Sequence, residues 1–438
     1  MALALAARSP AAPGSPGTPV VGVAAAGADV PAPALPGEHF AAALVSFVLG
    51  ALGLALVASD LARGLFFLPR VVAVVHLFTL GWIVTSIFGA LCQFLPVAVG
   101  RGLRWAWAAH VSFAAHVVGV GCFVAGMASG RPALVLVGSA GLAAAFVGFA
   151  VNLAATLAGV RERGLTWWAL CGAAIFLVVT PAYGVVLALN LDGGQLVGAS
   201  RFTVVAAHAH VAIVGVVLLV MVGVAHRLLP MFLLSHGASE RAGAAAVALL
   251  FSGAALLALP VGGGVTHAVA GALAAAGVVA FLIQAATFFR HRRRKAIDPG
   301  MRLAAAGLIG LAAAVALAPL ALSRGLSDFG LLSTYFAVLL GALSLFVAGH
   351  HYKIIPFLVW YHRFGPLVGT RKVPRIAELY SERVAHVDGA LLALGWLGLC
   401  VGIYTGQAEV VRGAAVALAL GAAVEAIVLA RVARRRIA

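Results

Sequence analysis

One pattern occurs three times in this chain, and it narrows the fold more than any other feature of the sequence. Aligned on a terminal proline, residues 76–96 read HLFTLGWIVTSIFGALCQFLP, residues 210–230 HVAIVGVVLLVMVGVAHRLLP and residues 336–356 FAVLLGALSLFVAGHHYKIIP. Gly81, Gly215 and Gly341 share one offset, Gly89, Gly223 and Gly349 a second, and Pro96, Pro230 and Pro356 a third. Each copy is apolar over about the ~20 residues that cross the hydrocarbon core of a bilayer. A pattern repeated at this scale marks one structural unit used more than once.

The rest of the chain divides into stretches of the same kind. Twelve are read, near 39–58, 71–97, 105–128, 133–158, 166–190, 202–229, 243–261, 266–289, 302–322, 329–351, 386–405 and 409–430. The patterned copies are the second, sixth and tenth, so each repeat unit is a four-helix module. The expected fold is all-α: a polytopic membrane protein of twelve transmembrane helices with pseudo-threefold symmetry. Composition agrees, with 63% hydrophobic and 10% charged residues against roughly 25% charged in a soluble domain. Residues 1–37 are rich in Ala, Pro and Gly and lack a continuous apolar core, so they read as a disordered cytoplasmic tail rather than a cleaved signal. Residues 38–438 read as one integral domain.

A formal charge of +16 raises the question of nucleic acid, and the placement of the basic residues answers it. If the spans alternate, 23 of the 29 Lys and Arg fall on one side, including RHRRRK and RVARRR. The positive-inside rule then places both termini in the cytoplasm. The excess serves topology and attraction to anionic membrane lipid, and no nucleic-acid partner is expected. Cys92, Cys122, Cys171 and Cys400 stand singly within spans, without CxxC spacing, and read as small hydrophobes.

Glycines two turns apart lie on one broad helix face, about 80° apart, which admits a neighbouring helix or a flat ligand. Packing does not account for the histidines. His76 and His210 occupy the same repeat position, where the third copy has Phe336. They lie roughly 8 and 12 Å below the start of their spans at 1.5 Å per residue. An ionisable group at that depth is costly and reads as functional, and neutral imidazole is the commonest metal ligand. His208 is two residues from His210, about 200° around the helix, so the two must look to different sides.

The segments HLFTLGWIVTSIFGALCQFLP and HAHVAIVGVVLLVMVGVAHRLLP resemble the haem-ligating helices of subunit I of the haem-copper oxidase and nitric oxide reductase superfamily. The resemblance implies that His76 and His210 bind a low-spin haem of b type, and that His208 binds a second, high-spin haem or another metal. The family's H-x-H motif lies on the tenth span and here on the sixth, which a 120° rotation of the threefold scheme would reconcile. A full family site also needs three histidines for copper. The outer half offers His76, His208, His210 and His267, with His116 near mid-membrane, one short of the required six. That shortfall is similar to the nitric-oxide-response (NnrS-like) haem-copper membrane proteins, whose H-A-L-T-x-G-type helix also resembles HAHVAIVG. The implied setting is a bacterial inner membrane, with a cytochrome c-like or quinol electron donor and additional respiratory subunits as partners.

His267, at the start of the eighth span, is either a further metal ligand or a loop-end histidine in water. His350 and His351, beside Tyr352 and Lys353, read as interfacial cations or else as a proton or quinol site, as does His226. Asp388 and Glu425 are the carboxylates left within spans, placed near a helix end and in the lower leaflet without a complete proton path. KIIPFLVWYHRFGPLVGTRKVP reads as an interfacial segment. Three classes stay open: an oxidoreductase acting on dioxygen or nitric oxide, a non-catalytic haem or electron-transfer subunit, and a proton-coupled transporter without a cofactor.

Overall fold

The computed structural model describes residues 32–191, 201–259 and 264–436. The tail expected over 1–37 lies mostly outside the described residues, and its last residues belong to the first helix instead. Every major element is a helix: α1 Ala34–Leu56, α2 Pro69–Val99, α3 Ala106–Ser129, α4 Pro132–Ala158, α5 Leu165–Leu191, α6 Arg201–Leu233, α7 Arg241–Leu257, α8 Gly264–Arg290, α9 Pro299–Ser327, α10 Phe329–Arg363, α11 Glu382–Thr405 and α12 Ala408–Arg434. Eleven of them are long and apolar enough to cross a membrane, and α7 is apolar but has only 17 residues. Helices satisfy every backbone donor and acceptor within one segment, which hydrocarbon surroundings require.

Local chemistry sets the boundaries. Pro69, Pro132 and Pro299 open α2, α4 and α9, where a missing N–H costs nothing. Asp298 and Asp328 cap α9 and α10 by accepting from Met301 N (3.1 Å) and Leu331 N (2.9 Å). Gly130 (φ +65°) and Gly406 (φ +70°) turn the chain between α3 and α4 and between α11 and α12. Left-handed backbone is nearly free only for glycine, and it lets each hairpin close in two residues.

The helices form two layers. In α2, α6 and α10, 61%, 61% and 78% of the most apolar window is buried, against 33% to 50% in the other long helices. These three stand inside, and the others surround them. Antiparallel pairs α3–α4, α7–α8 and α11–α12 pack tightly, α4 joins α5, and α1 against α12 closes the ring. The outer helices present Leu52, Val118, Val151, Ile283, Ile309 and Leu394 outward.

Close approach between layers depends on the patterned glycines. A Cβ at Gly89 would sit 2.7 Å from His39 of α1, at Gly223 2.7 Å from Ala169 of α5, and at Gly349 2.4 Å from the Gly300 carbonyl of α9. Each inner helix thus receives the outer helix that precedes it. Lipid tails are as apolar as leucine, so small residues and van der Waals contact, rather than exclusion from water, drive this packing.

Candidate functional site

His76 ends the α-helical start of α2 (Pro69–His76), and His210 ends that of α6 (Arg201–His210). An eight-residue π-helical segment follows each, Leu77–Val84 and Val211–Leu218. α10 carries Phe336 at the equivalent position and is α-helical throughout. All three copies share the glycines, so the π segments follow the histidines rather than the glycine pattern. Such segments are rare and concentrate at functional sites.

In both rings Nδ1 donates to the carbonyl four residues back, at 2.8 Å from Val72 O and 2.8 Å from Ala206 O. A carbonyl only accepts, so Nδ1 carries the hydrogen and the neutral ring keeps its lone pair on Nε2. That is the tautomer required of an Nε2 metal ligand whose other nitrogen is already held. His39 and His350 make the same bond to Leu35 O and Phe346 O, so it is a precondition and not a signature.

The surroundings differ between the two. His76 packs on Phe123 of α3 with centroids 4.6 Å apart. His210 lies beside Tyr335 and Phe336 of α10, at 6.4 and 6.0 Å, with the Tyr335 hydroxyl 3.5 Å from its Nε2. His208 turns to α5, where its Cε1 is 3.5 Å from the position of a Cβ on Gly184. Its Nδ1 is buried without a hydrogen-bond partner among the described residues. The H-x-H motif therefore directs its rings to α5 and to α10.

His267 is half-buried near the start of α8. Among the described residues no three His, Cys, Asp or Glu side chains converge as a group able to hold a metal ion. His76, His208, His210 and His267 therefore do not form one metal centre. His116, deep in α3, has its Nε2 3.0 Å from Thr85 Oγ1 and 3.2 Å from the Leu80 carbonyl. Leu80 lies within the π segment of α2, so His116 braces that segment. His226 contacts Glu240 at 3.1 Å, and the four cysteines are unbridged.

A cavity of about 70 Å3 lies between the inner helices. Its walls use equivalent repeat positions: Ser86, Val220 and Phe346 at one level, and Leu91, Ala225 and His351 at another.

The expectation that His350 and His351 are interfacial cations is overturned. They are 6% and 1% exposed. α10 does not end near residue 351 but runs on to Arg363 as a 35-residue helix, about 52 Å long at 1.5 Å per residue. Its second half meets α9, α11 and α12, through Gly300 against Tyr352, Asp388 on the Tyr352 hydroxyl and Glu425 beside His351. The stretch read as an interfacial segment is in its first part the end of this helix.

Asp388 and Glu425 read from the sequence as the two carboxylates that could start a proton path, with no partner assigned to either. The fold joins them to α10: the Tyr352 hydroxyl donates to Asp388 Oδ2 at 2.7 Å, and His351 Nδ1 lies 3.4 Å from Glu425 Oε1. His351 Nε2 is 3.0 Å from Ser86 Oγ of α2. No signal in one sequence pairs residues this far apart; only their depth in otherwise apolar runs marked them. No family model matches the chain, and no curated protein matches it at a significant level.

Proposed function

We propose that this chain is a haem-binding membrane protein of haem-copper oxidase type. It would span the bacterial inner membrane twelve times as three four-helix modules, with both termini in the cytoplasm. His76 and His210 hold a low-spin haem, and His208 serves a second centre on the α5 side of α6. One observation carries the reading: the two histidines at equivalent repeat positions, each with Nδ1 committed to a carbonyl so that the lone pair sits on Nε2, each precede a π segment that the third copy, with Phe336 at that position, lacks. Support for the modules comes from the glycine contacts, the matching hairpins and the equivalent positions around the central cavity.

Haem iron takes one or two imidazoles, the groups that His76 and His210 would supply. The donor set does not fit a three-histidine copper centre, because no three such side chains converge among the described residues. A bound haem supplies one-electron transfer. The protein's part is to orient the imidazoles through Val72 O and Ala206 O, and to exclude water with Phe123, Phe336 and Tyr335. Tyr335 Oη, near His210 Nε2, is the polar group best placed to answer a change of charge there.

The test is an absorption spectrum of purified protein, dithionite-reduced minus oxidised, with a pyridine haemochrome assay. Wild type should show a Soret band and a b-type haemochrome. His76→Ala or His210→Ala should remove the low-spin signal, and His208→Ala should leave it. A second reading, a proton-coupled transporter without a cofactor, is favoured by the buried acid–histidine cluster beside the central cavity. A wild-type protein with no Soret band would select it and end the haem reading.

A further inference from the structure

The most polar part of the interior lies where α10, α11 and α12 meet, away from the proposed haem ligands. Asp388 and Glu425 are 0% exposed, His351 1% and Tyr352 2%. Among the described residues neither carboxylate has a Lys or Arg partner, and both oxygens of Glu425 lack a hydrogen bond. Two uncompensated carboxylates cannot both be charged in such surroundings, because burying one alone costs many kcal/mol.

Hydrogen bonding places the proton. Ser86 Oγ donates to the Trp82 carbonyl at 2.7 Å, so its single hydrogen is used. It must then accept from His351 Nε2, 3.0 Å away. With Nε2 protonated, the neutral ring turns a bare lone pair at Nδ1 toward Glu425 Oε1, 3.4 Å distant. Two lone pairs facing each other repel unless a hydrogen lies between them.

We propose that Glu425 and His351 form a buried proton-binding site in which Glu425, as the neutral acid, donates to His351 Nδ1. Taking up one proton carries the pair from a net charge of −1 to zero, with no other bond made or broken. The remaining neighbours permit this. α10 contributes Tyr352 and, one residue away, His350, whose Nδ1 is committed to Phe346 O. α11 contributes Asp388. α2 and α1 contribute only neutral groups, Ser86, Trp82 and Phe40. The nearest ammonium, on Lys353, is held by Asp298 at 2.7 Å.

Tyr352 lies beside the partly exposed Tyr380, with ring centroids 5.3 Å apart and the rings tilted, on the side of the Lys353–Asp298 pair. His351 and Ser86 also line the central cavity, whose wall is apolar. None of this depends on haem, and its failure would leave the haem reading untouched.

The test is infrared spectroscopy of the purified full-length protein at neutral pH, in H2O and D2O. A protonated-carboxyl C=O band that shifts in D2O is expected in wild type. It should vanish in Glu425→Gln and remain in Asp388→Asn. If Glu425→Gln does not fold, Glu425→Asp must move the band. No such band in wild type, a band indifferent to the substitution at 425, or a band lost with Asp388→Asn would overturn the proposal.

Discussion

Gly349→Ala tests a backbone-to-backbone contact between the inner helix α10 and the outer helix α9. A Cβ there would sit 2.4 Å from the Gly300 carbonyl oxygen and 2.6 Å from the Ala304 nitrogen. Both are backbone atoms of α9, so no side chain can swing aside. To reach ordinary contact near 3.4 Å the two helices must part by about 1 Å, and a gap of that size forfeits roughly a quarter to a half of each dispersion contact along the seam. Overpacking of this kind costs about 1–3 kcal/mol, whereas alanine in place of glycine within a helix gains about 0.5–1 kcal/mol. The net expectation is a loss of about 0–2.5 kcal/mol, centred near 1 kcal/mol. Gly413→Ala in α12 isolates the second effect, because nothing lies within 4 Å of its added Cβ. Unfolding of detergent-purified protein by titration with a denaturing detergent should rank Gly413→Ala at or above wild type and Gly349→Ala below it. A Gly349→Ala protein as stable as Gly413→Ala would refute the close approach of α9 and α10.

Gly130→Ala introduces a side chain at φ +65° with nothing within 4 Å, so backbone strain alone should cost about 1–2 kcal/mol in the same assay; Gly121→Ala, open and helical, should cost nothing. Tyr352→Phe removes the donor that serves Asp388 Oδ2, and leaving that buried oxygen unbonded should cost about 1–3 kcal/mol; full stability would mean that the bond does not form. Asp60, buried between α1 and α2, accepts from Arg70 at 2.5 and 2.7 Å and from Arg63 at 3.1 Å. Hydrogen bonds from Arg70, above all, hold its carboxyl below the usual range. Its folded value is depressed, so its contribution is fully present above the ordinary aspartate value of about 3.9 and is lost as pH falls through the lower folded value. Asp60→Asn should flatten the acid limb of stability against pH, and superimposable limbs in the two proteins would contradict that.

Apolar run length and turn glycines are local properties, and from them the sequence alone determined that the chain is helical and apolar enough to be embedded in a membrane. His76, His208 and His210 were legible for the same reason: an imidazole deep in an apolar run needs no partner to be noticed. The opposed directions of His208 and His210 followed from helix geometry. The π segments did not, because an i+5 ladder depends on what packs beside the helix. Nor did the length of α10, since protein packing, not hydropathy, shelters its second half and draws His351 inward. The cluster of His351, Tyr352, Asp388, Glu425 and Ser86 needs four helices to meet at one depth. Only the tertiary structure could decide that, because the cost of burying a charge depends on neighbours that may be hundreds of residues away in the chain.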